Sequence, residues 1–403
     1  MHEIVLRKFN RNYSMKLFII PSWYPTEIHP ESGSFFRDRA SILYKNEIEV
    51  IIGAPVIHSL KDLLKYFPTN SIQKDVNDGL PIYLHESINI FPKMEKLFFK
   101  RYKKFAINIF NKLLESHGLP DLVLIHSSLW AGGALGEMLN KKNIPFILTE
   151  HLKEFLIPNG FSVFQKKIIY NTYSMASQIL LSSSSLKNAI SKNFNTFKPK
   201  LNLLPNPVDE HLFTLRKVPE SKTQFTIICI SLFRPEKRID LILDSFNSLI
   251  HSGIKANLKL IGDGPLKYEI KKQINRLKIS DRVELQGYLS QSQIVKELHA
   301  SDFLVLASDI ETFGTVLIEA QACGLPVVAT DCGGPRDLIT PESGILVKPG
   351  SVFELTKAMK ILIRSFDNFN PSCIRNSMIK RFGKQKYVES IKNSAKLIFS
   401  SND

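Results

Sequence analysis

Residues Phe303–Thr330 read FLVLASDIETFGTVLIEAQACGLPVVAT. An apolar run, Phe303–Ala307, has the length and β-branched character of a buried strand. It enters a polar loop holding Glu311, Thr312, Phe313 and Gly314. A helix is predicted to open near Thr315 and to stop at Gly324, with Pro326 just beyond, which is ordinary helix-stop chemistry. The first N–H groups of a helix lack intrahelical partners and sit at the positive end of its dipole, so they favour phosphate. Gly314 removes the side chain where a phosphate would approach the backbone. Glu311 precedes the helix and Glu319 lies within it, so two carboxylates bracket that start. Carboxylates form charge-assisted hydrogen bonds with hydroxyls, and a nucleotide sugar carries hydroxyls on both sides of its pyrophosphate. A strand–loop–helix unit with two solvent-facing Glu residues is the plainer alternative.

Working outward, the stretch belongs to a longer alternation. Runs at 225–231, 259–261, 283–286, 303–307 and 327–330 read as strands, separated by helical patterns at 239–252, 266–277, 291–300 and 315–323. The N-terminal half repeats the theme, with strands expected at 17–20, 49–52, 122–125, 146–149, 179–182 and 201–204, and helices at 35–45 and 131–141. Strand–helix alternation predicts parallel sheets covered on both faces, and ligands of such sheets bind beyond the carboxyl ends of strands. A polar segment with a proline, RKVPESKT at 216–223, is the expected linker between two doubly wound α/β domains. The first fourteen residues show no periodicity, so translation from Met15 is as good a reading as translation from Met1.

The chain has 403 residues and a formal charge of +15. That length suits two domains, and the charge, spread over both halves, favours anionic partners. Neither a zinc-finger spacing, an RNA-recognition aromatic motif nor a concentrated basic stripe accompanies it, so nucleic acid is not the expected partner. The four cysteines show no paired or metal-ligand spacing, which fits a reducing, cytoplasmic compartment. No apolar run reaches the roughly 18 residues of a membrane span.

Ordered motifs surround the two glutamates: LPNPVD at 204–209, RPEKRID at 234–240, LIGDGPL at 260–266, GYLS at 287–290, GLPVVAT at 324–330, GGP at 333–335 and SGILVKPG at 343–350. Near the start stands PSWYPTEIHPESGSFFRDRA. Together these resemble the family-four retaining glycosyltransferases of the GT-B fold (group 1 glycosyl transferases), from Met15 to about residue 400. The resemblance implies an α/β fold of two Rossmann-like domains facing a cleft: an acceptor-binding domain at 15–215, a nucleotide-sugar domain at 216–380, and a C-terminal helix, 381–403, returning to the first domain. It implies metal-independent hexosyl transfer from a UDP- or GDP-linked sugar, with no cofactor, to a glycan or lipid-linked acceptor in cell-surface polysaccharide synthesis. Glu311 would then hold the donor sugar and Glu319 the ribose. Backbone at Phe313, Gly314 and Thr315 would meet the pyrophosphate, with Lys237 neutralising it and Gly33 beside it. His151 would face the transferred sugar. An Arg that the family commonly carries five residues before the Lys is Leu232 here, and Arg234 is the candidate substitute. A nucleotide-sugar epimerase of the same fold, or an inactive nucleotide-sugar-binding subunit, are the rival readings.

Residues 93–114, KMEKLFFKRYKKFAINIFNKLL, place Met94, Phe98, Tyr102, Phe105, Ile109 and Leu113 on one helical face and lysines on the other. This is the pattern of an interfacial anchor at the inner face of a membrane, and equally of a core helix with a solvated basic side.

Overall fold

The computed structural model describes residues 14–30, 32–64, 66–217 and 224–400. The leader residues 1–13 and most of the expected linker, 218–223, lie outside them. The chain divides into two compact units: Met1–Leu181 with Lys187–Leu204 and Val388–Asp403, and Ser182–Leu186 with Pro205–Tyr387.

The first unit holds an eight-stranded sheet. Its strands are β1 (Lys16–Pro21), β2 (Glu49–His58), β3 (Ile72–Asn77), β4 (Leu80–Ile88), β5 (Leu122–His126), β6 (Phe146–Glu150), β7 (Gln178–Leu181) and β8 (Leu201–Leu203). Their order is β3-β4-β2-β1-β5-β6-β7-β8. All pair in parallel except β3 with β4. Every residue of β5 and β6 is buried, as expected of parallel strands covered on both faces. The β3–β4 hairpin was not anticipated. It turns at Asp78 and Gly79, both at positive φ (49° and 83°), the backbone that an Asp-Gly pair supplies in a two-residue hairpin turn.

The helix Glu95–His117 corrects one of the two readings of residues 93–114. Tyr102, Phe105, Ile109 and Leu113 are buried in their own unit, and Phe110 meets Phe18 of β1 edge-on with centroids 6.0 Å apart. The face offered to a membrane is core; Met94 and Leu97, at the helix's start, stay exposed.

The second unit holds six parallel strands: β9 (Phe225–Ile230), β10 (Ala256–Ile261), β11 (Val283–Gly287), β12 (Phe303–Leu306), β13 (Val327–Thr330) and β14 (Gly344–Val347). They are ordered β11-β10-β9-β12-β13-β14. Alternate residues feed two cores, as a period of two requires. Ile227, Cys229, Val305 and Val328 join one, while Ile228, Leu304, Leu306 and Ala329 join Leu317 and Ile318 of the helix Thr315–Ala322 in the other.

The unit boundary differs from the expected 215/216. Residues from Pro205 to Tyr387 already belong to the second unit. Val208 donates its N–H to Phe382 O at 2.8 Å, and the buried Arg216 guanidinium donates to Ser301 O at 2.9 Å. Of the polar run read as a linker, Arg216 and Lys217 are described, and Arg216 is also held by its backbone, its N–H donated to Cys323 O at 3.1 Å.

Candidate active site

In each sheet the chain reverses its direction of strand addition at one point, between β1 and β5 in the first and between β9 and β12 in the second. Loops leaving the carboxyl ends at such a point diverge and open a crevice. In the second unit those two loops carry Lys237 and Glu311.

Lys237 closes a short 3-10 turn, Pro235–Lys237, that follows β9. Asp309 donates its N–H to Glu236 O at 2.8 Å, tying this turn to the loop after β12. The consequence is an ion pair: Lys237 Nζ stands 2.5 Å from Glu311 Oε2, with both side chains mostly shielded. Ser308 Oγ donates to the same oxygen at 3.4 Å. Glu311 is further fixed through its backbone, donating to Cys332 O and accepting from Gly334 N at 2.7 Å.

Gly314 is the N-cap of the helix Thr315–Ala322, at φ 96° and ψ 58°, a conformation that strongly favours glycine. No side chain caps this helix start, so its first N–H groups have no side-chain cap competing for them. Thr315 Oγ1 accepts a hydrogen bond from Asn206 Nδ2 at 3.3 Å. Phe313, 2% exposed, meets Phe382 with ring centroids 5.9 Å apart, which anchors the loop from below. Glu319 is half-buried within the helix, and Arg234 is exposed. Thus Lys237, Glu311, Phe313, Gly314, Thr315 and Glu319 share one loop-and-helix corner. The neighbouring Arg238 does not serve as a loose cation there, being paired with Asp240 and Asp309.

His151 and Gly33 belong to the first unit. Gly33 caps the helix Ser34–Tyr44 at φ 76°, and a Cβ there would stand 2.8 Å from Trp23 Cδ1. His151 follows β6, with Nε2 2.9 Å from Thr149 Oγ1 and 3.4 Å from Arg39 Nη1. Thr149 Oγ1 in turn lies 2.5 Å from His126 Nδ1. Burial, then the Arg39 charge, holds both imidazoles well below the ordinary histidine range, with His126 adding to the effect on His151. Both are therefore neutral at neutral pH, hydrogen-bonding groups rather than cations.

The sequence reading missed Asn206, Ser308, Gly334, Arg39, His126 and Thr149. Asn206 and Gly334 lay inside motifs already noted, LPNPVD and GGP. The signal for His126 and Thr149 was a polar residue at the carboxyl end of an otherwise apolar strand.

Residues 213–397 match the family described as Glycosyl transferases group 1. Over that span the chain is similar to the group 1 glycosyl transferases. The match covers the corner around Glu311 and all six strands of the second sheet. The chain is 27% identical over 301 residues to the N-acetyl-alpha-D-glucosaminyl L-malate synthase of Bacillus anthracis, covering 71% of this chain and 76% of that one. It is 30% identical over 179 residues to a GDP-mannose-dependent monoacylated alpha-(1-6)-phosphatidylinositol monomannoside mannosyltransferase of Corynebacterium glutamicum, covering 40% of this chain and 46% of that one. Among solved structures it superposes on Anabaena HepE, crystallised with UDP, at a TM-score of 0.72 and 19% identity, covering 95% of this chain and 99% of that one. The two Rossmann-like sheets are those of the GT-B fold. No helix among the described residues is long and apolar enough to cross a membrane.

Beside His151 the first unit buries an acid. Glu150 is 0% exposed; its Oε1 accepts from Ser128 N at 3.0 Å and Tyr173 OH at 3.1 Å, and its Oε2 has no hydrogen-bond partner. Burial pushes its carboxyl up from 4.5 to about 7. A raised carboxyl favours the folded state fully below the unfolded pKa and loses that contribution as pH rises through the folded one. Glu150→Gln is expected to gain on the native chain between pH 4.5 and 8, by on the order of 3 kcal/mol. Urea unfolding of both proteins at the two pH values checks this; a stability difference independent of pH contradicts it.

Proposed function

We propose that this chain is a retaining, metal-independent hexosyltransferase that takes a UDP- or GDP-linked sugar and delivers the sugar to a glycan or lipid-linked acceptor at the cytoplasmic face of a membrane, in cell-surface polysaccharide synthesis. The observation that carries the reading is the Lys237–Glu311 pair beside the uncapped helix start at Gly314. Without donor, the two charges satisfy each other. A nucleoside-diphosphate sugar would separate them, its diphosphate taking Lys237 and the helix N–H groups, its hexose hydroxyls taking Glu311, and its ribose Glu319. Charge that develops on the departing diphosphate then meets a cation and a dipole already in place, which is where electrostatic stabilisation accelerates a reaction.

The resemblance to retaining relatives supports same-face displacement. The C1–O bond to the phosphate breaks, the C1–O bond to the acceptor forms on the same face, and the acceptor's proton passes to the departing phosphate. Neutral His151 offers an imidazole to a hydroxyl of the transferred sugar. Exposed Arg234 would reinforce Lys237 in place of the residue that is Leu232 here. Contact of residues 93–114 with an acidic membrane surface belongs to the same reading, carried by exposed Lys96, Lys100 and Lys104 with Met94 and Leu97 rather than by the buried face. The relatives named for an acylated phosphatidylinositol acceptor and for a malate acceptor support transfer in general.

Calorimetric titration with UDP and GDP, alone and sugar-linked, tests the donor half. One nucleotide is expected to bind and Glu319→Ala to weaken it by about tenfold, the loss of one charge-assisted hydrogen bond pair to a ribose. Binding unchanged in that variant, or no binding of either nucleotide, contradicts the reading.

A further inference from the structure

Arg39, His126, Thr149 and His151 all belong to the first unit, and three elements bring them together. His126 closes β5, Thr149 and His151 flank the last residue of β6, and Arg39 lies on the helix Ser34–Tyr44. The parallel register of β5 and β6 sets His126 against Thr149. Phe35 and Arg39 are four residues apart and so neighbours on one helical face. The guanidinium lies over the Phe35 ring, 4.6 Å from its centroid. Phe35 and Phe36 each meet the His151 ring edge-on, with centroids 5.5 Å away. Arg39 is 5% exposed, so packing holds its guanidinium beside the imidazole.

These contacts fix where the protons sit. Among the described residues both hydrogen bonds of the His151 ring end on Nε2, one at Thr149 Oγ1 (2.9 Å) and one at Arg39 Nη1 (3.4 Å). The hydroxyl alone leaves the direction open, since it donates once and accepts twice. A guanidinium only donates, so Nε2 carries the lone pair, and in a neutral imidazole the proton is then on Nδ1. Burial first and the Arg39 charge second keep the ring neutral. Glu150, the acid beside it, is engaged by Ser128 and Tyr173. With Nε2 of His151 bare, Thr149 donates to it. The 2.5 Å contact between Thr149 Oγ1 and His126 Nδ1 is then a bond that His126 donates. This leaves the buried, unpartnered Nε2 of His126 as a lone pair rather than an orphaned N–H, the kind of orphan that folded proteins avoid most. One assignment of protons satisfies every contact.

We propose that Arg39 is a positioning residue that holds His151 as its Nδ1–H tautomer, so that His151 meets the transferred sugar as a hydrogen-bond donor and not as a base. The inference rests on the transferase reading above and specifies the chemistry of one of its residues. A protonated Nδ1 has no lone pair to take the acceptor's proton, which agrees with passage of that proton to the departing phosphate. The sugar atom it meets must offer a lone pair, as a hydroxyl oxygen does and a protonated amine does not.

Long-range proton–nitrogen NMR spectra of the whole protein, labelled with 15N-histidine, read which ring nitrogen carries the proton. The signals missing in His151→Gln identify His151 among the ten histidines. Without nucleotide, at about pH 8, His151 is expected with Nδ1 protonated and Nε2 bare. Arg39→Met is expected to move the ratio by at least about tenfold toward Nε2–H, the worth of one hydrogen bond from a charged donor, and to bring that form into view. Arg39→Lys, which keeps a charged donor, should restore the native pattern. An Nε2–H or doubly protonated ring in the native protein overturns the proposal, whether or not Arg39→Met folds. So does a native tautomer in an Arg39→Met protein of native circular dichroism. A nucleotide sugar that binds by calorimetry should then move the Nδ1 resonance and leave Nε2 in place; binding with Nδ1 unmoved also overturns the proposal. Absence of calorimetric binding counts against the donor reading instead, and the tautomer, read without ligand, is scored apart from it.

Discussion

Lys237→Ala is expected to lower turnover by about a hundred- to a thousand-fold, the size of effect seen when one preorganised charge-stabilising group is removed, while nucleotide affinity falls much less. The asymmetry follows from where the charges sit. In the unliganded protein Lys237 is spent on Glu311, so the gain from meeting a ground-state diphosphate is offset by the loss of that partner. The full benefit appears only when the bond to C1 breaks and the phosphate gains charge, and interactions that strengthen in the transition state act on kcat. Glu311→Gln should behave similarly in turnover, since it strands Lys237 and weakens the grip on the sugar hydroxyls. Initial rates and nucleotide binding measured on the same preparations check this. A Lys237→Ala enzyme whose KM rises with kcat intact would place the lysine in ground-state binding only.

Gly334→Ala is expected to abolish measurable nucleotide binding, although Gly334 offers no side chain to any ligand. A Cβ at this position would overlap Cα, N and O of Phe313. These are backbone atoms, and they cannot rotate away as a flexible side chain would. The Gly334 N–H also holds Glu311 O at 2.7 Å, so the displaced segment is the one running from Glu311 to the start of the helix at Thr315. Overpacking of this kind costs on the order of 1–3 kcal/mol, which a unit with two extensive cores survives. The variant should therefore unfold at lower urea yet keep native circular dichroism. Native nucleotide affinity in Gly334→Ala would show that the Glu311–Thr315 segment does not form the donor corner.

The fold was legible because parallel strands buried on both faces are written as continuous apolar runs. Leu122–His126, Phe146–Glu150 and Val327–Thr330 differ from expectation by at most a residue at an end. The β3–β4 hairpin was not found since β3, Ile72–Asn77, is exposed along nearly all its length and so carries no apolar period. Its one signal was local, the Asp78-Gly79 pair. In the candidate site, residues close in sequence to the helix start could be read directly. Lys237 and Glu311 are 74 residues apart, and what makes them partners is the strand order, β9 beside β12, that no local pattern records. The same holds for Gly334, whose constraint is space rather than a special φ. Residues 93–114 show the converse: their amphipathic pattern was read correctly, but periodicity states only that one face is apolar, and the structure supplies the core that covers it.

The most direct measurement is a crystal structure with UDP- or GDP-linked sugar bound. The account predicts the diphosphate against the backbone N–H groups that follow Gly314, Lys237 turned from Glu311 onto a phosphate oxygen, and Glu319 on the ribose. Ligand density elsewhere, with the Lys237–Glu311 pair intact and the start of the helix bare, would contradict it.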